Sequence, residues 1–529
     1  MSSTLSVCLA DTGKKSYVTS ELIRSSASIN IQAGYEQLLF HDLRTHQLMQ
    51  VLIVLKVLGL LLSVFSLTMF IPGLVSLYYG DGSAQSFFVA FVVTLTIGLA
   101  TFLPLRRHQS PLKLTDGYVI VVMFWTVLGV FGAIPLYLDE QVNLSIAQSL
   151  FESMSGFTTT GATVIVGLDS LPPAILLYRQ LVQWLGGMGI IVLAVAILPL
   201  LGVGGMQLFK AETSGPQKEK IAPRVADTAK LLWYIYLGLT IACMISYWAA
   251  GMSVFDAIGH SFSTVAIGGF STHDASMGYF QSSAIEMVAV VFMFISGVNF
   301  ALHYIALRSM SLGAYIDDAE FKTYVGIIFF LALVTVSYLY ATGTVGIGDS
   351  FFSGVFQVVS IATTTGFTTA EYFNWPGFLP VLLLFASFVG GCAGSTGGGM
   401  KVIRVLLLIK QGVRELVRMV HPHAVLPVKV GRKSIPPRVI DAVWGFFAAY
   451  VIILALLLLI LMATGLDQET AFSAVVACLN NLGPGLGDVG SNYSSLNGLQ
   501  LGVLCFAMLL GRLEIFTLLV LLTPHFWRK

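Results

Sequence analysis

A short loop of hydroxyl-bearing residues and glycine recurs four times in this chain, each time between two long hydrophobic segments. The clearest copy is Ser360–Thr369, which reads Ser-Ile-Ala-Thr-Thr-Thr-Gly-Phe-Thr-Thr and contains Gly366. The other copies are centred on Gly161, Gly269 and Gly483, so the four glycines are 108, 97 and 117 residues apart by subtraction. Four copies at one approximate period predict a single structural unit that is used four times.

A polar loop at membrane depth must be buried in protein or line a wet cavity, because unpaired backbone in lipid costs several kcal/mol per group. Carbonyl and hydroxyl oxygens that face a cavity can replace the water shell of a monovalent cation. We therefore predict that the four loops, called the filter loops below, form an ion filter around one axis. The residues assigned to this filter are Thr159, Thr160, Gly161, Ile267, Gly268, Gly269, Thr364, Thr365, Gly366, Asn481, Leu482 and Gly483.

The composition places the chain in a membrane. Of its 529 residues, 56% are apolar and only 10% are charged, whereas soluble domains carry about 25% charged residues. The net charge of +1 argues against nucleic acid as a partner. Its five cysteines have no paired spacing, so we interpret them as packing residues rather than as disulfides or metal ligands.

Segment lengths predict an all-α integral membrane protein with ten spans. Two N-terminal spans near 51–78 and 85–104 are long enough to cross the bilayer. Four units follow, each with a full span, a short helix of half-membrane length, a filter loop and a second full span, around one pseudo-fourfold pore. The predicted divisions are a polar cytosolic extension (1–48), the two additional spans (49–110) and the four pore units (111–208, 209–312, 313–430 and 431–529). The predicted second spans of the units are 172–201, 283–308, 377–410 and 497–523.

Charge asymmetry predicts the orientation in the membrane. Basic residues cluster in the loops 210–230 and 401–438, whereas the loops on the other side carry mainly acids such as Asp81 and Asp169. Because positively charged loops stay in the cytoplasm, both chain termini are expected there, with the filter loops at the outer face.

Acidic residues follow three of the four filter glycines at the same distance. Asp274, Glu371 and Asp488 each lie five positions after a filter glycine, whereas the first copy has Val166. A partial carboxylate ring at the outer mouth would concentrate cations. Equally, acids in wet loops can simply be solvated, and both interpretations remain open. Unequal filter loops also predict weaker discrimination against sodium than a fourfold-symmetric filter would have.

A second glycine-rich segment, Gly390–Lys401, interrupts the second span of unit three; we call it the inner loop. Six of its first ten residues are glycine, at a cost of about 1 kcal/mol each in a helix interior. A phosphate-binding loop is excluded, because Met400 separates Gly399 from Lys401. We predict a flexible constriction in the pore, and a plain helix break for packing is the alternative. The predicted gate comprises Gly390, Gly391, Gly394, Ser395, Thr396, Gly397, Gly398, Gly399 and Arg512.

Arg512 is a charged residue in the middle of a hydrophobic span. Intramembrane charge is costly and indicates function by default, so we expect Arg512 to act as an electrostatic brake on cations in the pore. The alternative is a structural ion pair with Glu514 or Glu286. Glu152, His260, Asn299 and His303 are interpreted as satisfied polar residues between helices.

Several of these features together resemble the Trk/Ktr/HKT superfamily of potassium transporters. They are the fourfold filter pattern, the inner loop, Phe209–Glu212 (Phe-Lys-Ala-Glu) and Gly511–Thr517 (Gly-Arg-Leu-Glu-Ile-Phe-Thr). Two extra N-terminal spans make the chain more similar to the bacterial TrkH/TrkG branch. The resemblance implies a potassium-translocating homodimer of the bacterial inner membrane, surrounded by membrane lipid and docked on a cytosolic TrkA-like ring that binds nucleotides. It also implies potassium as the substrate, no organic cofactor, the filter and gate residues given above, and Arg512 as the pore arginine.

Two other classes of protein were weighed against a gated potassium pathway. A symporter that couples potassium to protons or sodium would need a titratable or second cation site at mid-membrane, and the filter loops contain no carboxylate. An enzyme would need a nucleophile–base or metal-ligand pattern, and the sequence offers none that we recognise. We therefore expect a transporter rather than an enzyme. The sequence leaves open whether this transporter is a channel or a symporter.

Overall fold

The protein is almost entirely helical. The computed structural model describes residues 51–108, 113–192, 221–344, 346–431 and 433–527, so the predicted extension 1–48 and the Phe209–Glu212 motif lie outside it. The helices are α1 Val51–Tyr79, α2 Ala84–Leu105, α3 Leu114–Leu138, α4 Ile146–Phe157, α5 Pro173–Val192, α6 Ile221–Ala249, α7 Val254–Ala266, α8 Ser283–Ser296, α9 Phe300–Ser309, α10 Gly313–Asp317, α11 Ala319–Ala341, α12 Ile347–Ala362, α13 Leu379–Val389, α14 Val402–Val420, α15 Pro437–Ala463, α16 Gln468–Leu479, α17 Gly498–Arg512, α18 Phe516–Leu522 and α19 Pro524–Trp527.

Six of these helices are long and apolar enough to cross a membrane, namely α1, α2, α3, α6, α11 and α15. The hydrophobic pattern predicts the first spans of the four units near 116–138, 230–250, 321–342 and 438–464. All six long helices except α6, which begins earlier than expected, have bounds within two residues of their predicted segments. The agreement follows from length, because about 20 apolar residues span the hydrocarbon core as a helix.

Two of the predicted second spans, 283–308 and 497–523, are bent helix pairs rather than continuous helices, which corrects the expectation from the sequence. Helices α8 and α9 meet at 94°, and α17 and α18 meet at 114°. Helices α13 and α14 are separated by the inner loop, as its glycines predicted. At the α17–α18 bend, Glu514 and Ile515 adopt positive φ angles of 53° and 55°. The bends fall at short polar interruptions, near Asn299 after α8 and near Arg512 and Glu514 at the end of α17, but the total length of each segment predicted one straight span.

One small departure from an all-α protein lies between α14 and α15. There β1 (Lys429–Val430) pairs antiparallel with β2 (Lys433–Ser434), with Lys429 opposite Ser434. The hairpin belongs to the basic loop that the sequence assigns to the cytosolic side.

The four units are arranged in a closed cycle. Each short helix packs on the second-span segment of the preceding unit: α7 on α5, α12 on α8, α16 on α13, and α4 of unit one on α17 of unit four. Helices α1 and α2 pack on each other, and α1 also packs on α3 and α5 of unit one. The short helices α4, α7, α12 and α16 therefore meet at the centre, and the two additional helices lie outside the cycle.

Candidate functional site

The four filter loops share one backbone conformation, although their sequences differ. In each loop the residue two positions before the glycine has a positive φ: 50° at Thr159, 54° at Ile267, 67° at Thr364 and 53° at Asn481. The four glycines have φ values of 82°, 79°, 84° and 101°. One conformation in four places indicates that the repeat seen in the sequence is also a repeat in structure.

A common hydrogen-bond pattern ends each short helix. In loop one the Thr159 N–H donates to Gly156 O at 3.0 Å and the Thr160 N–H donates to Ser155 O at 2.8 Å. The other three loops repeat both bonds at the equivalent positions. A helix that ends at a residue in the left-handed conformation satisfies carbonyls that would otherwise lack partners. The same residue turns the chain sharply into the filter loop.

The left-handed residues are unusual in type. Glycine normally occupies this position, and a positive φ is an outlier for the β-branched residues Thr159, Ile267 and Thr364. Such strain costs of order 1–3 kcal/mol per residue and persists where the surroundings impose it, often at functional sites.

The four filter glycines form a closed ring. A Cβ atom on Gly161 would lie 2.1 Å from Gly268 O, one on Gly269 would lie 2.1 Å from Thr365 O, and one on Gly366 would lie 2.1 Å from Leu482 O. The cycle closes because a Cβ on Gly483 would lie 2.7 Å from Thr160 O. Each glycine thus faces the carbonyl of the residue before the glycine in the next loop. No side chain fits at any of the four positions.

Threonine hydroxyls are paired in the two loops that read Thr-Thr-Thr-Gly. Thr158 Oγ1 lies 2.7 Å from Thr160 Oγ1, and Thr363 Oγ1 lies 2.7 Å from Thr365 Oγ1. In loop four, Asn481 Nδ2 donates to Thr160 Oγ1 of loop one at 3.0 Å. All of these side chains are buried. The hydroxyls are therefore held by each other and by the neighbouring loop.

A buried ion pair that the sequence analysis did not identify braces two filter loops. Arg179 Nε donates to Glu152 Oε1 at 2.8 Å, and Arg179 Nη1 donates to Ser271 O at 3.0 Å. Glu152 Oε2 also accepts from the Val164 N–H at 2.9 Å. The pair thereby joins short helix α4 to loops one and two. A single arginine within the apolar α5 was the signal that could have found it.

Loops two and four are held by uncharged side chains. Gln183 Nε2 donates to Gly268 O at 2.6 Å, and Gln183 Oε1 accepts from the Phe270 N–H at 3.1 Å. The Tyr493 hydroxyl donates to Gly483 O at 2.7 Å. These bonds position the backbone of the filter loops from outside the ring.

Outside the ring lies a cavity of about 300 Å³ that all four filter glycines line. Asp274 and Glu371 also line it, whereas Asp488 is not among the lining residues. Asp274 Oδ1 accepts from the Gly167 N–H at 3.0 Å, and Glu371 Oε2 accepts from Asn374 Nδ2 at 2.9 Å. The structure therefore places two of the three predicted acids at the mouth of the ring.

His273, at the same cavity, is held between two carboxylates. Its Nδ1 lies 2.5 Å from Asp169 Oδ1, its Nε2 lies 3.5 Å from Asp256 Oδ1, and its ring stacks on Tyr279 at 3.4 Å. Burial by itself lowers the pKa of His273, but the hydrogen bonds and charges of Asp256 and Asp169 outweigh it and raise the pKa above 6.5. A protonated His273 therefore stabilises the outer loops.

The inner loop lies against the inner ends of three short helices. The Gly398 N–H donates to Thr364 Oγ1 at 2.7 Å, and the Gly399 N–H donates to Asn480 O at 3.0 Å. Thr396 Oγ1 donates to Val265 O at 3.0 Å. Because these helix ends carry partial negative charge, the loop's donors occupy positions where a cation would otherwise be stabilised.

Glycine is required in the inner loop by close approach. A Cβ on Gly398 would lie 2.0 Å from Asn480 O, and one on Gly397 would lie 2.9 Å from Thr363 O. A Cβ on Gly390 would lie 2.2 Å from Gly398 O within the loop itself. The loop's composition is thus explained by its position directly against loops three and four.

Arg512 is buried beside this loop. Its Nη1 donates to Thr396 O at 3.1 Å, and its guanidinium lies 5.6 Å from the centre of the Trp125 ring. Among the residues that the structure describes, Arg512 Nε and Nη2 have no hydrogen-bond acceptor. Glu514, one of the two alternative partners, instead pairs with Arg404 at 2.5 Å. Arg512 therefore contributes its charge to the inner loop.

Glu320, which the sequence analysis did not single out, joins the first part of the inner loop to the start of α14. Its Oε1 accepts from the Ala393 N–H at 2.7 Å and from the Ile403 N–H at 3.2 Å. Glu320 lies in the first turn of α11 and is 5% exposed. A first-turn carboxylate ordinarily interacts with its own helix end, so no sequence pattern indicated a distant role for Glu320.

Comparison with known proteins identifies the family to which this chain belongs. Residues 83–529 match the model of the TrkH family, described as a cation transport protein. The Trk system potassium uptake protein TrkH of Vibrio parahaemolyticus is 57% identical over 485 residues, 91% of this chain and all of that protein. Escherichia coli TrkG, a protein of the same description, is 42% identical over 472 residues, 89% of this chain and 97% of that protein.

Among solved structures, the crystal structure of the potassium transporter TrkH from Vibrio parahaemolyticus is similar to this fold. It superposes with a TM-score of 0.85 at 55% sequence identity, and covers 91% of this chain and all of that chain. Since the family model matches most of the chain and close relatives match over their full length, the chain belongs to the TrkH family of cation transport proteins.

Proposed function

We propose that the protein takes up potassium across the bacterial inner membrane through a selective, gated pore. The observation that carries this proposal is the closed ring of Gly161, Gly269, Gly366 and Gly483, each of which faces a carbonyl of the next loop. Backbone oxygens in a ring are the ligands that potassium filters use. The names of the relatives, Trk system potassium uptake proteins, support potassium as the substrate.

The inner loop and Arg512 form the gate in this proposal. The loop's N–H groups and the arginine charge lie where a dehydrated cation leaving the filter would need negative partial charge. A cation cannot pass while the N–H groups of the inner loop are hydrogen-bonded at the inner ends of the short helices. Conduction therefore requires the inner loop to move. Its glycines suit such a movement, and Glu320 can act as an anchor through its bonds to Ala393 and Ile403.

In the proposed topology, the six long helices are joined by α5, by the two bent pairs and by α13–inner loop–α14, which makes ten spans. The predicted division into an extension (1–48), two additional spans (49–110) and pore units 111–208, 209–312, 313–430 and 431–529 is kept with it. Both termini lie in the cytoplasm, where the basic loops would remain.

The partners follow from the family rather than from this chain alone. We propose a homodimer whose basic cytosolic surface contacts a TrkA-like, nucleotide-binding regulatory ring. The exposed C-terminal end of α14, which carries Arg418, and the β1–β2 hairpin provide that surface among the described residues. The phrase "Trk system" in the names of the relatives supports a transporter that works with other components.

The test is potassium flux into liposomes that contain the purified protein, under a potassium gradient and without a proton or sodium gradient. Flux that follows the potassium gradient supports the pore. Flux that appears only with a proton or sodium gradient would instead support a symporter, the alternative function. Absence of potassium flux under all three gradients, both from the unmodified protein and from a folded variant with a shortened inner loop, would contradict the proposal.

A further inference from the structure

A large apolar cavity lies at the side of unit two, remote from the filter. Its volume is about 890 Å³, and its walls come from α6, α8, α9, α10 and the start of α11. Leu231, Tyr234 and Leu239 of α6 form one wall, and Phe294 and Val298 lie opposite. By comparison, an apolar cavity of roughly 150 Å³ already binds benzene. Its lining residues Tyr234, Leu307 and Ile316 are exposed, so the cavity is open at the protein surface and accessible to apolar chains of a surrounding bilayer.

The cavity has a polar edge at one end. His303 and Tyr315 line it and are hydrogen-bonded to each other, with His303 Nδ1 2.8 Å from the Tyr315 hydroxyl. Tyr304 lines it as well, and Arg308 Nη1 donates to the Tyr304 hydroxyl at 3.4 Å. Arg308 is exposed. An apolar interior beside a positive charge fits a molecule with a hydrocarbon chain and an anionic head.

The cavity touches the bend between α8 and α9, and that bend is bonded to the inner loop. The Cys392 N–H donates to Gly297 O at 2.8 Å, and the Phe300 N–H donates to Gly394 O at 3.1 Å. On the cavity side, His303 Nε2 lies 3.0 Å from Ile295 O and so bridges the bend. An occupant of the cavity therefore packs against the segment that holds the inner loop.

We propose that this cavity binds an anionic membrane phospholipid, with one acyl chain in the apolar part and the phosphate at Arg308, and that the lipid holds the gate closed. The lipid is expected to favour the closed gate rather than the open one, because the cavity exists in the conformation in which the inner loop is bonded to the α8–α9 bend. A ligand shifts an equilibrium toward the state it binds. This inference rests on the proposed gate, but lipid binding can be measured without any flux.

Gly238 provides the test. It lines the cavity, and a Cβ there would meet no atom within 4 Å, so Gly238→Trp can fill the cavity without a clash. Gly502→Trp is the matched control, because Gly502 is exposed on α17 and is equally free of neighbours. Lipid that remains bound through purification is extracted and quantified by mass spectrometry. We expect phosphatidylglycerol with the unmodified chain and with Gly502→Trp, and its loss in Gly238→Trp; equal retention in all three would overturn the proposal.

Flux provides the second measurement. In phosphatidylcholine vesicles the unmodified chain is expected to show several-fold higher basal potassium flux than in phosphatidylglycerol vesicles, whereas Gly238→Trp gives equally low flux in both. Equal flux of the unmodified chain in the two lipids would refute the coupling to the gate. If Gly238→Trp converts a dimer to a monomer, measured by light scattering, a second copy of this chain covers the cavity and the lipid proposal fails.

Discussion

Replacing Gly366 with serine is the sharpest test of the filter. The new Cβ would lie 2.1 Å from Leu482 O, and real Cβ atoms essentially never approach within 3.0 Å. Gly366 also has a φ of 84°, which L side chains rarely adopt. Either the Leu482 carbonyl leaves the ring or loop three changes its conformation. Both outcomes remove one of the four carbonyl positions that the ring aligns.

The size of the effect can be worked from the interaction that is lost. A hydrogen bond to a charged group contributes roughly 1.5–3 kcal/mol, and we take the same scale for one carbonyl at a potassium ion. Since about 1.4 kcal/mol corresponds to a factor of ten, the half-saturating potassium concentration should rise roughly tenfold or more. Backbone strain of order 1–3 kcal/mol lowers stability in addition.

The assay is potassium flux in liposomes over a range of potassium concentrations, with reversal potentials in mixed potassium and sodium. Gly348→Ser is the matched control, because Gly348 lies in the same unit and a Cβ there meets nothing within 4 Å. We expect Gly366→Ser to lose preference for potassium while Gly348→Ser keeps it. Unchanged affinity and selectivity in folded Gly366→Ser would refute the assignment of the ring as the filter.

Four further predictions test the surroundings of the ring. Shortening Gly390–Gly399 should raise basal potassium flux in liposomes, because the donors that hold the helix ends are removed; a folded but silent protein would argue against a gate there. Arg512→Gln should raise rubidium uptake by removing the charge beside the loop, whereas Arg512→Lys should keep uptake low, and equal uptake by both variants would contradict a brake. Glu152→Gln should destabilise the protein by about 3–5 kcal/mol, since it leaves the buried Arg179 charge unpaired. Thermal unfolding should show a smaller loss of stability in the double variant Glu152→Gln with Arg179→Met than in Glu152→Gln alone. A larger loss of stability in the double variant would contradict this coupling between the two charges. His273 has a raised pKa, so its stabilising contribution is complete below about pH 6.5 and is lost as the pH rises through the folded-state pKa. The temperature of the unfolding midpoint should therefore decrease as the pH rises above about 6.5, and His273→Gln should abolish most of that dependence; an identical pH profile in the variant would count against it.

Much of the architecture was predictable, because it depends on local features of the chain. The lengths of apolar segments determine where helices can span, and α1, α2, α3, α11 and α15 appear within two residues of the expected bounds. The recurrence of the filter loops predicted one unit used four times, and the four loops share their φ pattern and hydrogen bonds. The glycines of the inner loop predicted the break between α13 and α14 for the same local reason.

Bends within the predicted spans could not be predicted from segment length. The 94° and 114° turns after α8 and α17 occur at short polar interruptions, near Asn299 and near Arg512 and Glu514, in segments that together have the length of one span. Their freed backbone groups find partners elsewhere in the protein, such as Gly297 O, which accepts from the inner loop. A bend of this kind is stabilised by residues about a hundred positions away, which no local pattern contains.

The sequence by itself determined that this chain is a helical membrane protein with four filter loops and a glycine-rich interruption, because hydrophobic length and glycine content act locally. Only the tertiary structure decided the order of the ring, in which the carbonyls of one loop press on the glycine of the next. It also decided the partners of the buried charges, Arg179 with Glu152 and Arg404 with Glu514. Charge pairing and close packing join residues that are distant in the chain, so they exist only once the helices have assembled.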